Sequence, residues 1–558
     1  MRLSLFIVAT LILILVLSFG LGCDSGGDGT TPGADTATDM TGEIPGDASV
    51  TPDGGPDNTS DSPPFVPGAD YLILAAGDLL ATAEAFAAYR EETGYTISLA
   101  TLDQVIAGGA SATDYDIAVH IKTWVAIHWE AREGDGPMFL LLVGDAEPAF
   151  NDPAETIPAA AWPGGWEGCL SDNHYGDMDG DHVPDIAVGR LPVRSDVQGL
   201  GLLDRIKAHE TTYTTGPWNH RLNVYAGEGG FGEDVDFFIE TIAQKGLEAV
   251  PMAFDVFFAY NSPPSTWYYT PFKEIVHEMV TSGAVLTTYM GHGGGELNVP
   301  DLTQVKPVDR FPMYAFFACS TGPFASDWLT ESEEVLLQAG GPMAILVSTA
   351  TTHPYANAIN ALEIEAAVFE DRPETYGEAI QGMKWRSLYH ESDLRDLLDG
   401  FAETEMPLSE MEDTIRDHMY SYNLLGDPAV RLRIPPLNVV VDAVEAAPGG
   451  IVQVTGSATA FAGAVAHTRL VCGRAAVIHD LTPVEDPSDP AAIPVIQENW
   501  DKAMDHALAA ADLAIGTDGT FEGGLEVPAD AKKGTYWVVV YAEDGVTDAL
   551  GSVEVSIK

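Results

Sequence analysis

The sequence predicts an α/β fold, a mainly parallel sheet flanked by helices, followed by a small all-β sandwich. Two observations carry this. From residue 68 onward, short apolar runs alternate with segments of helical spacing. After Ile434-Pro435-Pro436 the pattern changes to short alternating strands separated by Gly, Pro and Asp. The length of 558 residues suits two to four structural units.

Tyr71–Ala76 is a short apolar run and reads as a buried strand. Leu79–Thr93 follows with helical spacing, Thr96–Ala100 is strand-like, and Ile117–Arg132 reads as a helix. Phe139–Val143 is apolar throughout and ends at Gly144-Asp145. The rhythm continues through Asp185–Gly189, Leu222–Ala226, Val285–Met290, Tyr314–Ala318 and Met343–Ser348. In sheets of this kind ligands collect beyond the carboxyl ends of the strands, so functional residues are expected just after these runs. In the tail, Leu437–Asp442, Ile451–Gly456, Phe521–Val527, Thr535–Glu543 and Ser552–Ile557 read as strands. Val495–Ile515 reads as a helical insertion among them.

The N-terminus reads as an export signal. Arg2 is followed by an apolar run from Leu3 to Phe19, short of the ~20 residues of a membrane span. Leu21-Gly22-Cys23 resembles a bacterial lipoprotein processing site, so residues 1–23 are expected to be a signal peptide with Cys23 lipidated. Residues 24–66 hold nine acidic and no basic residues and little apolar surface. They are expected to be a disordered tether. The protein is thus expected to be exported, held to a membrane by a lipid anchor alone or secreted. The net charge of −58, from 84 acidic and 26 basic residues, argues against nucleic-acid partners.

The residues suited to chemistry lie at two strand ends. Val285–Met290 runs into Gly291-His292-Gly293-Gly294-Gly295, and Tyr314–Ala318 runs into Cys319-Ser320. A thiol is a poor nucleophile until it loses its proton, and a neighbouring imidazole can take it. The glycines after His292 let backbone amides approach a substrate. The amides of Gly293 and Cys319 are the candidates for holding an oxyanion. Four cysteines, Cys23, Cys169, Cys319 and Cys472, are too few for a disulfide framework at this length. No HExxH, CxxC, GxSxG or phosphate-loop pattern is present, and His174, His182 and His353 lack metal-ligand spacing.

An apolar strand, His-Gly, a spacer, then an apolar strand and Ala-Cys resembles the caspase-like peptidase clan. Within it the chain resembles the gingipain family of bacterial cysteine peptidases (peptidase family C25). FLLLVGD (139–145), DIAVGR (185–190), YMGHG (289–293), FACST (317–321), AILVST (344–349) and LGDPAV (425–430) follow in the family's order. The resemblance implies a caspase-like catalytic domain over 67–435 and an immunoglobulin-like sandwich over 436–558. It implies a cysteine endopeptidase acting on proteins or peptides, with Cys319 and His292 as the catalytic pair. An acid near Asp185 approaches the histidine in the family, so Asp185 is a candidate third member. Arg- or Lys-specific members carry an acid in the specificity pocket, and Asp196 lies in the approximate region. Secreted members carry a long inhibitory propeptide, whereas here the acidic tether leads almost directly into the domain.

Asp177, Asp179, Asp181 and Asp185, with Gly180 between, are spaced like a calcium loop. Val188 stands where an EF-hand would place its bidentate glutamate, so the loop is not an EF-hand. Calcium is the one expected cofactor, in a structural role. Asp185 thus has two competing roles, ligand and histidine orienter. A surface binding or assembly protein that keeps the fold without turnover is the alternative to a peptidase, and a Cys319→Ala variant separates the two.

Overall fold

In the computed structural model, the described residues are 65–106, 114–146, 154–162, 164, 168–212, 214–227, 229, 240, 243–247, 250–263, 265–293, 310, 312–403 and 406–558. The expected signal peptide, Cys23 and nearly all of the tether lie outside them. No described helix is long and apolar enough to cross a membrane.

The strands in chain order are β1 (Tyr71–Ala75), β2 (Ile97–Thr101), β3 (Phe139–Val143), a small hairpin of β4 (Ala160–Trp162) and β5 (Cys169–Ser171), and β6 (Ala187–Leu191). They continue with β7 (Arg221–Ala226), β8 (Asp255–Tyr260), β9 (Leu286–Met290), β10 (Met313–Phe317), β11 (Ala344–Ser348) and β12 (Tyr422–Gly426). Ten of these, all but the hairpin, form one sheet in the order β2-β1-β3-β6-β12-β11-β10-β9-β7-β8. Neighbours are parallel except at the centre, where β12 runs antiparallel to β11 and parallel to β6. The sheet is therefore two parallel halves joined head to tail. The carboxyl ends of β9, β10 and β11 share an edge with the amino ends of β12 and β6.

The central strands are apolar runs because both faces are covered. YLILA, FLLLV and AILVS are buried at every position. Helices flank them, among them Leu80–Glu92, Asp114–Glu130, Phe272–Ser282 and Tyr376–Tyr389. The last of these starts with a capping box, Thr375 with Glu378. One buried ionic knot ties the first half of the sheet to the LGDPAV segment. Asp427 accepts from Tyr71 Oη at 2.8 Å and from Arg90 Nε and Nη2 at 2.8 and 2.6 Å, and Arg90 also pairs with Glu210.

The C-terminal part is a β-sandwich. One sheet holds β13 (Val440–Val444), β14 (Ile451–Ser457) and β17 (Thr520–Glu526). The other holds β15 (Val465–Val471), β16 (Ala507–Ala514), β18 (Gly534–Glu543) and β19 (Asp548–Ile557). Val452, Val454, Phe521 and Leu525 from the first sheet meet Leu470, Val538, Val540 and Val555 from the second in one core.

The expected helix Val495–Ile515 is corrected to a helix over Ile493–Met504 and then strand β16. The alanine-rich run ALAAADLA favours a helix in isolation. Pairing with β15 decides it instead, an instance of tertiary context overriding propensity. The helix Ile493–Met504 lies against β8, the last strand of the large sheet. Trp500 is buried and donates to the Phe258 carbonyl at 3.0 Å. Arg474 reaches across to the carbonyls of Leu247, Val250, Pro251 and Phe254.

Candidate active site

Two adjacent parallel strands deliver the site. β10 pairs with β9 so that Phe317 stands opposite Met290. His292 and Cys319 are therefore each two residues beyond the same rung, on the same edge. The Gly291 amide donates to the Phe317 carbonyl at 3.4 Å, extending the ladder past the strand ends. The loop then folds onto Cys319: a Cβ built on Gly293 would lie 1.5 Å from the Cys319 carbonyl oxygen and 3.0 Å from its amide nitrogen. Only glycine allows that approach. Ser320, the next residue, is held at φ +47° in the left-handed region, where a non-glycine residue stores strain of order 1–3 kcal/mol.

The Cys319 sulfur is partly exposed and is embraced by one residue of the loop after β11. Thr352 offers its amide at 3.4 Å and its hydroxyl at 3.6 Å, and its carbonyl stands 3.3 Å from the sulfur. The His292 side chain is exposed. Its Nε2 is 2.6 Å from the Gly229 carbonyl, in the loop after β7. A carbonyl only accepts, so the imidazole donates Nε2–H there, and Nδ1 is the ring nitrogen suited to take a proton. Tyr289 Oη donates to the His292 carbonyl at 3.0 Å and steadies the turn.

Asp185 is placed elsewhere. Its Oδ2 accepts from the amides of Met178 at 2.7 Å and Asp179 at 3.3 Å. Strand β6, which follows it, is four positions from β9 in the sheet, a lateral span of ~19 Å at ~4.8 Å per strand. The expected role of Asp185 as orienter of His292 is corrected on that ground. Burial raises its pKa from the ordinary carboxylate value, and the carboxylates of Asp179 and Asp177 add to the rise. Asp196 is likewise not at the site. It accepts from the Thr82 amide and hydroxyl at 3.1 and 2.6 Å, tying helix Asp196–Thr211 to helix Leu80–Glu92. It follows the carboxyl end of β6, which is the edge opposite Cys319.

In the acidic loop, Asp177, Asp179 and Asp185 bring one oxygen each within 4.8 Å of one another. Asp181 does not join them. It is exposed and caps its own turn by accepting from the Val183 amide at 2.8 Å. Asp177 is buried, and Tyr420 Oη and the Gly180 amide donate to it at 2.7 and 2.8 Å. Three converging hard oxygens fit calcium, which would draw its remaining ligands from carbonyls and water.

Two contributors were not found by reading the sequence. Thr352 follows β11, and Gly229 follows β7, and both are strand ends on the same edge as β9 and β10. The runs AILVST and VYAGEGG carry that signal: each is an apolar strand leaving on the functional edge. A cavity of about 70 Å³ opens beside Thr352, lined also by Cys169, His353, Asp417 and His418. A larger one, about 280 Å³, lies away from the site between Phe257, Met279, Trp500 and Met504.

Comparison with known proteins gives the family. The model of peptidase family C25 matches residues 66–433. Among solved structures, the Arg-specific cysteine proteinase gingipain R (RgpB) is 18% identical with a TM-score of 0.49, over 89% of this chain and 100% of that one. The complex of the Porphyromonas gingivalis RgpB pro- and mature domains gives 18% identity and a TM-score of 0.48, over 88% of this chain and 100% of that one. A structure described only as a protease gives 13% identity and a TM-score of 0.49, over 88% and 98%. No curated protein matches. With one family model matching from residue 66 to residue 433 of 558, the chain belongs to peptidase family C25.

Proposed function

We propose that the chain is a cysteine endopeptidase acting on proteins or peptides, with Cys319 as nucleophile and His292 as general base and acid. The observation that carries this is the junction of the β9 and β10 ends, where Gly293 lies on the Cys319 backbone. Family membership supports the same reading.

His292 takes the thiol proton, and the thiolate attacks the scissile carbonyl carbon. The oxyanion is held by the amides of Gly293 and Cys319. The tetrahedral intermediate collapses, the C–N bond breaks, and the imidazolium gives its proton to the leaving amine. A thioester remains on Cys319. Water attacks it, His292 accepts a proton from that water, and the acid product leaves as the thiol is restored.

The remaining parts of the reading are export with lipid attachment at Cys23, and a structural calcium on Asp177, Asp179 and Asp185. The lipid is checked by mass spectrometry of the mature N-terminal peptide from a bacterial host. An unmodified Cys23 there removes the anchor.

The activity test uses an acyloxymethyl-ketone probe and a peptide library with the purified chain. Labelling and cleavage are expected in the wild type and lost in Cys319→Ala and His292→Ala. Cleavage that survives in Cys319→Ala overturns the proposal.

A further inference from the structure

We propose that Thr352 is the residue that holds the Cys319 thiolate, and that Tyr422 and Asn357 aim it through a one-way chain of hydrogen bonds ending on the sulfur. The inference rests on the reading of Cys319 as nucleophile.

The chain runs inward from the central strand of the sheet. Tyr422, the first residue of β12, donates its hydroxyl to Asn357 Oδ1 at 2.7 Å. Asn357 Nδ2 donates to Thr352 Oγ1 at 2.8 Å. With one lone pair of that oxygen occupied, its proton is free to point at Cys319 Sγ, 3.6 Å away. The Thr352 amide adds a second donor at 3.4 Å. Every donor in the series faces the sulfur. All three residues are buried, at 0% exposure for Tyr422, 4% for Thr352 and 8% for Asn357. In such surroundings, hydrogen bonds to a charged sulfur are stronger than in water.

The same loop suits both states of the thiol. As S–H, the sulfur donates to the Thr352 carbonyl at 3.3 Å. When that proton passes to His292, the amide and hydroxyl of Thr352 remain as acceptor-seeking donors and take up the new charge. The loop is fixed for the task. Ser320 donates its amide to the Ala350 carbonyl at 2.8 Å, and Thr349 donates its amide to the Ser421 carbonyl at 2.9 Å. His353 donates its amide to His418 Nε2 at 3.0 Å. Thr352 thus sits on a segment pinned at both ends, with its donors set before substrate arrives.

The test is the pH dependence of iodoacetamide alkylation of Cys319 in the full chain, read by mass spectrometry of the Cys319 peptide. It compares wild type, Thr352→Val, Thr352→Ser and Tyr422→Phe, with Cys319→Ala as control. Thr352→Val is expected to move the midpoint of the profile to higher pH by about one unit, a roughly tenfold loss of alkylation rate on the rising limb. Thr352→Ser restores it, and Tyr422→Phe moves it a smaller distance in the same direction. Peptide cleavage by Thr352→Val loses kcat with KM unchanged. Coincident profiles for wild type, Thr352→Val and Tyr422→Phe, with Cys319 still labelled, overturn the proposal and leave the nucleophile standing. Should Thr352→Val not fold, Tyr422→Phe decides alone: an upward shift supports the chain and no shift overturns it. A wild-type Cys319 that resists alkylation across the range sinks the nucleophile reading, and this proposal with it.

Discussion

Gly293 and Cys319 share one space: the position a side-chain carbon would take on Gly293 is 1.5 Å from the Cys319 carbonyl oxygen. This contact fixes where the His292 turn sits relative to Cys319. Gly293→Ala must push the loop off Cys319, and a displacement of about 1 Å at reacting groups costs on the order of 100-fold in rate. The variant is expected to fold, because the loop lies at the rim and not in the core. Peptide cleavage should fall by about 100-fold while the melting temperature stays within a few degrees. Near-wild-type turnover would show that the turn does not position the chemistry.

The LGDPAV segment is tied into the first half of the sheet through Asp427. Asp427 is fully buried and accepts from Tyr71, from Arg90 and from the Ala429 amide at 2.9 Å. Removing one partner of a buried ion pair leaves an uncompensated charge, at a cost of about 3–5 kcal/mol. Asp427→Ala is therefore expected to lower the unfolding free energy by that amount, read from the denaturant midpoint and its slope. Remaining folded protein should keep its rate per active site, measured by titration with the ketone probe. A specific rate that collapses with no loss of stability would place Asp427 in the machinery.

The acidic loop gives the calcium prediction. Adding calcium to about 100 times its dissociation constant should stabilise the wild type by about 2.7 kcal/mol. Asp179→Asn removes one exposed member of the converging trio and is expected to abolish most of that gain. Calcorimetric titration and melting in calcium and in chelator read the two quantities. An equal calcium shift in both proteins would mean that binding, if any, is elsewhere.

The positions of His292 and Cys319 at strand ends were legible because parallel strands buried on both faces are written as unbroken apolar runs, so their ends are visible. YMGHG and FACST place His292 and Cys319 just past such ends, and adjacent pairing of β9 with β10 does the rest. Pairing order itself is not written locally. That is why Asp185 read as a neighbour of His292, when β12, β11 and β10 stand between β6 and β9. The same limit hid Thr352, which lies 33 positions from Cys319 and meets it only through the β10–β11 pairing. The sandwich was legible from its alternating strands, except for β15, which was not read, and β16, whose alanines follow their partner β15 against their own preference.

Buried neutral histidines should weaken the fold as pH falls. His418 donates Nδ1–H to the Thr414 carbonyl at 2.6 Å and accepts the His353 amide on Nε2, so the fold uses the neutral ring. His128 lies in an aromatic pocket between Phe65 and Trp124. Burial lowers both from the usual value near 6.5 to about 4. The sign follows from the unfolded chain, where each binds a proton at the higher pH. Their stabilisation is full above about 6.5 and is lost as pH falls to about 4, on the order of 1–3 kcal/mol for each ring. Replacing His128 by Phe keeps an aromatic ring in the pocket and removes its titration. Urea midpoints at pH 7.5 and 4.5 should therefore differ less in His128→Phe than in the wild type, by that margin. Equal pH sensitivity in the two proteins would show that His128 is protonated as readily in the fold as out of it.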